Sequence, residues 1–125
     1  MSTIELSTHA EIVLNYYTTV DAKDIPAALA CFASTAVYRR PGFAVFEGLT
    51  AIEAFYRQER DVGDGNHVVE TILEGGDHVA TQGHFDGFFR DGAPLQLRFA
   101  DFWRFAEGEV VERNSYIQLN SGRLM

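Results

Sequence analysis

Apolar and polar residues alternate along Leu95–Phe105. In an extended strand Leu95, Leu97, Phe99, Asp101, Trp103 and Phe105 share one face, and Gln96, Arg98, Ala100, Phe102 and Arg104 share the other. The arginines mark the second face as the wetter one. Asp101 is therefore a single carboxyl among large apolar groups. Burying a lone carboxylate is costly, so this acid is expected to be protonated, paired or beside a cavity. The patterning extends to His67–Leu73, Val79–Phe89 and Val110–Leu119. Gly75-Gly76-Asp77, Arg90-Asp91-Gly92 and Glu107-Gly108 supply the intervening turns. Gly83 and Gly87 inside a strand fit bulges or bends.

The first half of the chain has a helical period instead. Thr8 and Glu11 form a capping-box pattern ahead of Val13, Tyr16, Tyr17 and Val20, which predicts a helix ending near Asp21. Asp24 caps a second helix with the stripe Ile25, Ala28, Leu29 and Phe32. Short strands are expected at Ala36–Tyr38 and Ala44–Phe46, on either side of a break at Arg39–Gly42. Thr50 and Glu53 cap a third helix with Ile52, Phe55 and Tyr56 inside, stopped by Gly63 or Gly65. Three helices followed by an antiparallel meander predict one α+β domain over residues 1–125. In it a curved, mostly antiparallel sheet wraps the helices and leaves a conical cavity.

Composition narrows the partners. A net charge of −8 argues against nucleic acid. The only cysteine is Cys31, so neither an intrachain disulfide nor a cysteine zinc site is expected. Histidines stand at 9, 67, 78 and 84 with no metal-binding spacing, and no metal or other cofactor is expected. No apolar run reaches membrane-spanning length and no basic-then-apolar leader opens the chain, so the expected compartment is the cytoplasm.

At this point the chain resembles a known family. Tyr16 with Val20-Asp21, Asp24-Ile25, Ala36 through Pro41, Gly48, the run Ala54–Gln58, Asp101, Arg104-Phe105 and Gly108 follow the order of the NTF2-like superfamily. That group of cone-shaped α+β proteins includes ketosteroid isomerases and SnoaL-like polyketide cyclases. The resemblance implies that Tyr16 is an oxyanion-hole tyrosine and Asp101 a protonated acid donating a second hydrogen bond, as a neutral aspartic acid does in ketosteroid isomerase. It also implies that Arg40 stands where the isomerases carry their base aspartate. An arginine does not abstract protons at neutral pH, which argues against steroid isomerisation by the usual route. Alternation alone leaves the facing of Val79–Phe89 open; the resemblance turns Gln82, His84, Asp86 and Phe88 into the cavity. His67 falls where related dehydratases and cyclases place a cavity histidine.

Structural roles compete with each of these. Asp101 is either a cavity acid or a structural partner of Arg40, Arg98 or His84. Tyr16 is a pocket hydroxyl or core, and Tyr17 is expected to point elsewhere. Arg40 is an ion-pair partner at a strand end or a ligand clamp. Of the last strand, either Arg113 with Ser115 or Asn114 with Tyr116 reaches the cavity.

The resulting expectation is a cofactor-free enzyme for a hydrophobic, oxygenated small molecule, working by enolisation: isomerisation, cyclisation or dehydration. Asp101 and Tyr16 would stabilise the enolate, His84 or His67 would move the proton, and Phe55, Phe88, Leu97, Phe99 and Trp103 would line the walls, with Gln82 and Asp86 binding. The alternative is a non-catalytic ligand-binding or dimerisation module. In either case a homodimer is expected through the outer sheet face, with Phe102 near its centre.

Overall fold

The computed structural model describes residues 7–119. Helix α1 spans Thr8–Asp21 and is capped one residue earlier than predicted, by Ser7, whose Oγ accepts from the Ala10 N–H at 3.1 Å. Its inner arc buries Val13, Tyr16, Tyr17 and Val20. Helix α2, Ile25–Leu29, is capped by Asp24, which accepts from the Ala27 N–H at 3.2 Å. It stops short of Phe32, which opens strand β1, Phe32–Arg39. The predicted strand at 36–38 is therefore longer, and Phe32 belongs to it instead of to a helical stripe.

Strand β2, Phe46–Glu47, leads to helix α3, Leu49–Ala54. Gly48, at φ +90°, takes the cap position with no side-chain bond, so Thr50 and Glu53 form no capping box. Glu53 instead pairs with Arg57 at 2.9 Å. The helix widens into a π-helical turn at Phe55–Glu59, which ends well before Gly63.

Strands β3 (Gly65–Gly75), β4 (His78–Phe88), β5 (Pro94–Ala106) and β6 (Glu109–Leu119) form the expected antiparallel meander. β1 then adds to β6 in parallel, giving one curved, unclosed six-stranded sheet in the order β2-β1-β6-β5-β4-β3. α1 lies across β3 and β4, and α3 packs on β1. Helices on one face of the sheet place the core between the two layers. Trp103, fully buried, sits at its centre against Tyr16, Tyr17 and Phe32.

Two irregularities in the ladder set the geometry of the site. Glu70 is an extra residue between the Val69–Gly83 and Thr71–Gln82 pairs, so β3 bulges. A Cβ on Gly83 would collide with the Val68 carbonyl oxygen, so the close approach at the bulge requires glycine. Val111 is the second extra residue, between the Arg104–Glu112 and Phe105–Val110 pairs. A one-residue bulge reverses which side chains face inward. Val110 is buried ahead of it, and Arg113 and Ser115 are buried beyond it.

Candidate functional site

β5 delivers Asp101 to the concave face as its alternation predicts: Leu95, Phe99, Asp101, Trp103 and Phe105 are buried, while Gln96, Arg98 and Phe102 are exposed or half-buried on the other side. Asp101 is 2% exposed and fully partnered. Tyr17 donates to its Oδ2, Ser115 Oγ donates to its Oδ1, and Arg113 Nη2 stands 3.1 Å from Oδ2. The acid is therefore a buried ion-pair acceptor. The expected neutral donor of an oxyanion hole is corrected by this geometry, because all three neighbours give hydrogen to it. The expected structural partners are corrected too: the cation is Arg113, and Arg98 and His84 lie on the opposite face.

Arg113 is the hub of the site. Its Nη1 donates to Tyr16 Oη at 2.8 Å and to Tyr56 Oη at 2.9 Å. Its guanidinium carbon lies 4.4 Å from the centre of the Trp103 ring, 4.5 Å from Tyr16 and 4.8 Å from Tyr38. Burial alone would lower the Arg113 pKa, but the Asp101 carboxylate and the surrounding tyrosine hydroxyls push it well above the usual arginine value. Arg113 thus keeps its charge inside the protein. Tyr16 and Tyr56 also bond to each other through their hydroxyls. Tyr38 links to Ser115 at 3.2 Å and to Arg40 Nη1 at 3.4 Å. Tyr17, expected to point away, is the tyrosine that touches Asp101, and Tyr16 is one step removed through Arg113.

Burial pushes the hydroxyls of Tyr16, Tyr17 and Tyr56 above the ordinary tyrosine value, with Asp101 adding to the effect at Tyr17 and Tyr16 adding to it at Tyr56. Burial likewise pushes the Cys31 thiol up to about 12, which leaves it unsuited as a nucleophile. For all four groups the folded state favours the protonated form. That contribution to stability is complete below the unfolded pKa values, about 8.5 for cysteine and about 10 for tyrosine. It is lost as pH rises toward the folded values. We predict that stability to urea falls steeply above about pH 10, and that the phenolate absorbance of these three tyrosines appears only with unfolding. Phenolate absorbance from them ahead of the loss of circular dichroism would contradict the buried network.

His67 Nδ1 lies 2.5 Å from Asp21 Oδ1, and its backbone N–H donates to Asp21 Oδ2 at 2.7 Å. The ring packs against Phe85, Phe99 and Tyr17. Asp21, at the end of α1, carries no signal of this role in the sequence because its partner lies 46 residues away.

A narrow inner cavity of about 40 Å3 joins these groups: His67, Phe99, Leu97, Asp101, Arg113 and Tyr16 all line it. That is room for a few waters or one small polar group. An adjoining apolar mouth of about 280 Å3 is bordered by Phe55, Leu97, Phe43 and Ile117. Arg40 borders both spaces.

The structure corrects the expectations for β4. Asp101 pairs with Thr81 and Arg98 with His84, so the register turns Thr81 and Phe85 inward and Gln82, His84 and Asp86 outward. His84 Nδ1 instead meets Glu70 at 2.7 Å on the outer face, beside Arg98. Hydrogen bonds from His84 and Arg98 hold Glu70 below the usual carboxylate range. Phe88 is exposed and borders an open cleft that shares Arg60 and Val62 with the inner cavity. Trp103 is core, with its Nε1–H 3.4 Å from Thr81 Oγ1, and lines no cavity wall. Among the described residues no cluster of three or more His, Cys, Asp or Glu could hold a metal ion, and no helix is long and apolar enough to cross a membrane.

Comparison with solved structures places this architecture. An NTF2-like protein of unknown function from Burkholderia pseudomallei superposes with a TM-score of 0.82 at 20% identity, covering 90% of this chain and 92% of that one. A putative SnoaL-like polyketide cyclase from Jannaschia sp. CCS1 gives 0.79 at 17% identity, covering 93% and 92%. An LEH-like epoxide hydrolase from M. tuberculosis gives 0.76 at 15% identity, covering 89% and 83%. A search of curated proteins finds no match. At these identities the likeness is one of fold. The profile of the SnoaL-like domain matches residues 13–113, from the first buried valine of α1 to the arginine at the hub, and the chain belongs to that family.

Proposed function

We propose that the protein is a cofactor-independent acid–base catalyst that enolises a hydrophobic, oxygenated small molecule. The observation that carries this reading is His67, held by Asp21, bordering the same cavity as Arg113 and Tyr16. A carboxylate on Nδ1 fixes the imidazole tautomer and leaves Nε2 as the acceptor for a substrate proton. Across the cavity, Arg113 donates to both tyrosine oxygens. If Tyr56 donates to Tyr16, the Tyr16 hydrogen is free for a developing enolate oxygen, with the positive charge of Arg113 behind it. Base and oxyanion donor then flank one small space, and the apolar mouth holds the rest of the molecule.

The test uses D2O. With a panel of aryl enones, polycyclic enones and 1,3-diketones, the protein should accelerate deuterium uptake at the carbon α to the carbonyl, read by NMR. A panel that exchanges no faster than in protein-free buffer sinks the proposal. It would favour the second reading, a non-catalytic binding module, which Arg40 at the position of the isomerases' base and the tight inner cavity support.

We also infer a homodimer through the outer sheet face. Phe102 and Tyr116 pack edge to face there and are 50% and 60% exposed. Charged clusters flank them, Glu70–His84–Arg98 on one side and Arg39–Glu112–Arg104 on the other. An apolar centre with a polar rim is the anatomy of an interface between copies. Light scattering at micromolar concentration should give a dimer, and Phe102→Glu should give a folded monomer. A monomeric parent protein rules this interface out.

A further inference from the structure

Arg40 and Arg60 both border the inner cavity, and neither has an ion-pair partner within reach among the described residues. Their Nε atoms are buried and make no hydrogen bond. Arg40 has one side-chain hydrogen bond among the described residues, the long one to Tyr38. Each guanidinium lies over an aromatic ring, Arg40 at 4.8 Å from the centre of Phe55 and Arg60 at 5.3 Å from that of Tyr56. Stacking fixes the guanidinium plane and leaves its edge donors unused. Among the described residues Asp101 is the only carboxylate on the inner cavity wall, and it is already committed to Arg113. Glu59 and Asp61 border the outer mouth without pairing to either arginine. The wall therefore carries excess positive charge, in a chain whose net charge is −8.

A buried Nε–H without an acceptor is costly, and water or an anion entering the cavity would supply one; an anion would also offset the two positive charges. The mouth beside Arg40 is apolar, and Arg60 faces the open cleft as well as the inner cavity. Taking the cavity as the ligand site proposed above, we infer that its ligand is an apolar organic acid bound as its anion. Its carboxylate lies between Arg40 and Arg60, at the junction of mouth and inner cavity, and its hydrocarbon body lies in the mouth beside Phe43 and Phe55. A neutral ketone of the same shape would leave both charges uncompensated. Forked donors also suit a carboxylate better than a single carbonyl oxygen.

The probe pair is 2-naphthoate and 2-naphthamide, which share a shape and differ in charge. Calorimetry on the full chain at low salt should show the carboxylate binding about tenfold or more tighter than the amide. Arg40→Gln and Arg60→Gln should each lose about tenfold in naphthoate affinity and leave naphthamide within about twofold. Raising the salt should weaken only the carboxylate. The parent protein's preference and its salt dependence stand even if one variant fails to fold. Equal affinity for the two probes, no naphthoate binding at millimolar concentration, or a preference unchanged in both folded variants would overturn the inference. Calorimetry reads binding without turnover, so loss of the charge preference leaves the His67 chemistry standing. A protein that exchanges no α-protons but still selects naphthoate leaves this inference standing.

Discussion

Replacing Arg113 with methionine is expected to destabilise the protein by about 3–5 kcal/mol, a large share of the roughly 5–15 kcal/mol that holds a domain together. The size follows from what remains behind. Asp101, 2% exposed, would keep its hydrogen bonds from Tyr17 and Ser115 but lose its paired cation. Tyr16 and Tyr56 would lose the donor they share. Methionine fills most of the space and still packs on Trp103, so the loss reports charge and hydrogen bonding more than volume. Urea unfolding should show a lower midpoint at an unchanged slope. Arg113→Lys should fall between, because it retains the charge and loses the fork. The informative variant is the double replacement Asp101→Asn with Arg113→Met. Removing one member of a buried pair strands the other, whereas removing both takes away the stranded charge. The double variant should therefore be more stable than Arg113→Met alone. Equal or greater loss in the double variant would mean that the pair is not the reason these residues are buried together.

Asp101 was legible in the sequence because β5 alternates cleanly, with large apolar groups on every other position of the inward face. Arg113 was not settled in the same way. A strand that starts with buried Val110 puts Glu112 inside by simple alternation, and only the extra residue Val111 turns Arg113 inward. The facing of β4 is hidden in the sequence for a different reason. Its inward positions include Gly83 and Gly87, which admit β3 at close range, and the polar Thr81, so the polar contrast between its faces disappears. Both histidine and aspartate then look like cavity residues when they are surface ones. Pairing with β5 decides the matter, since directly opposed residues share a face, and pairing is not written in the strand itself. Tyr16 and Tyr17 both face inward, against the expectation for Tyr17, because a helix resting in a concave sheet buries an arc wide enough for adjacent residues. His67 was legible as a histidine after a Gly-rich turn, but its meaning comes from Asp21, which local sequence presents as no more than the end of a helix.

His67→Phe is expected to lower turnover of any substrate found by α-proton exchange by about 10²- to 10⁴-fold, the usual contribution of a general base. Phenylalanine keeps the packing against Phe85, Phe99 and Tyr17 and removes the nitrogen lone pair. Asp21 loses the ring but keeps the backbone N–H of position 67, so thermal stability should fall modestly while the rate collapses. A structural role would move both together. His67→Ala opens a space the size of the lost ring, and added imidazole should restore part of its rate without affecting the phenylalanine variant. Asp21 supplies an independent check. A carboxylate at the last residue of α1 sits at the unfavourable end of the helix dipole, so some other interaction must favour it there. Its two oxygens hold both the ring and the backbone of His67. Asp21→Asn should lower kcat more than it raises KM, because it loosens the orientation of the base without touching the mouth. The two losses should not add: in a background already lacking the His67 imidazole, Asp21→Asn should cost almost nothing further. Full additivity of the two rate effects would show that the carboxylate and the imidazole act separately, and the proton would then have to leave by another group on the cavity wall.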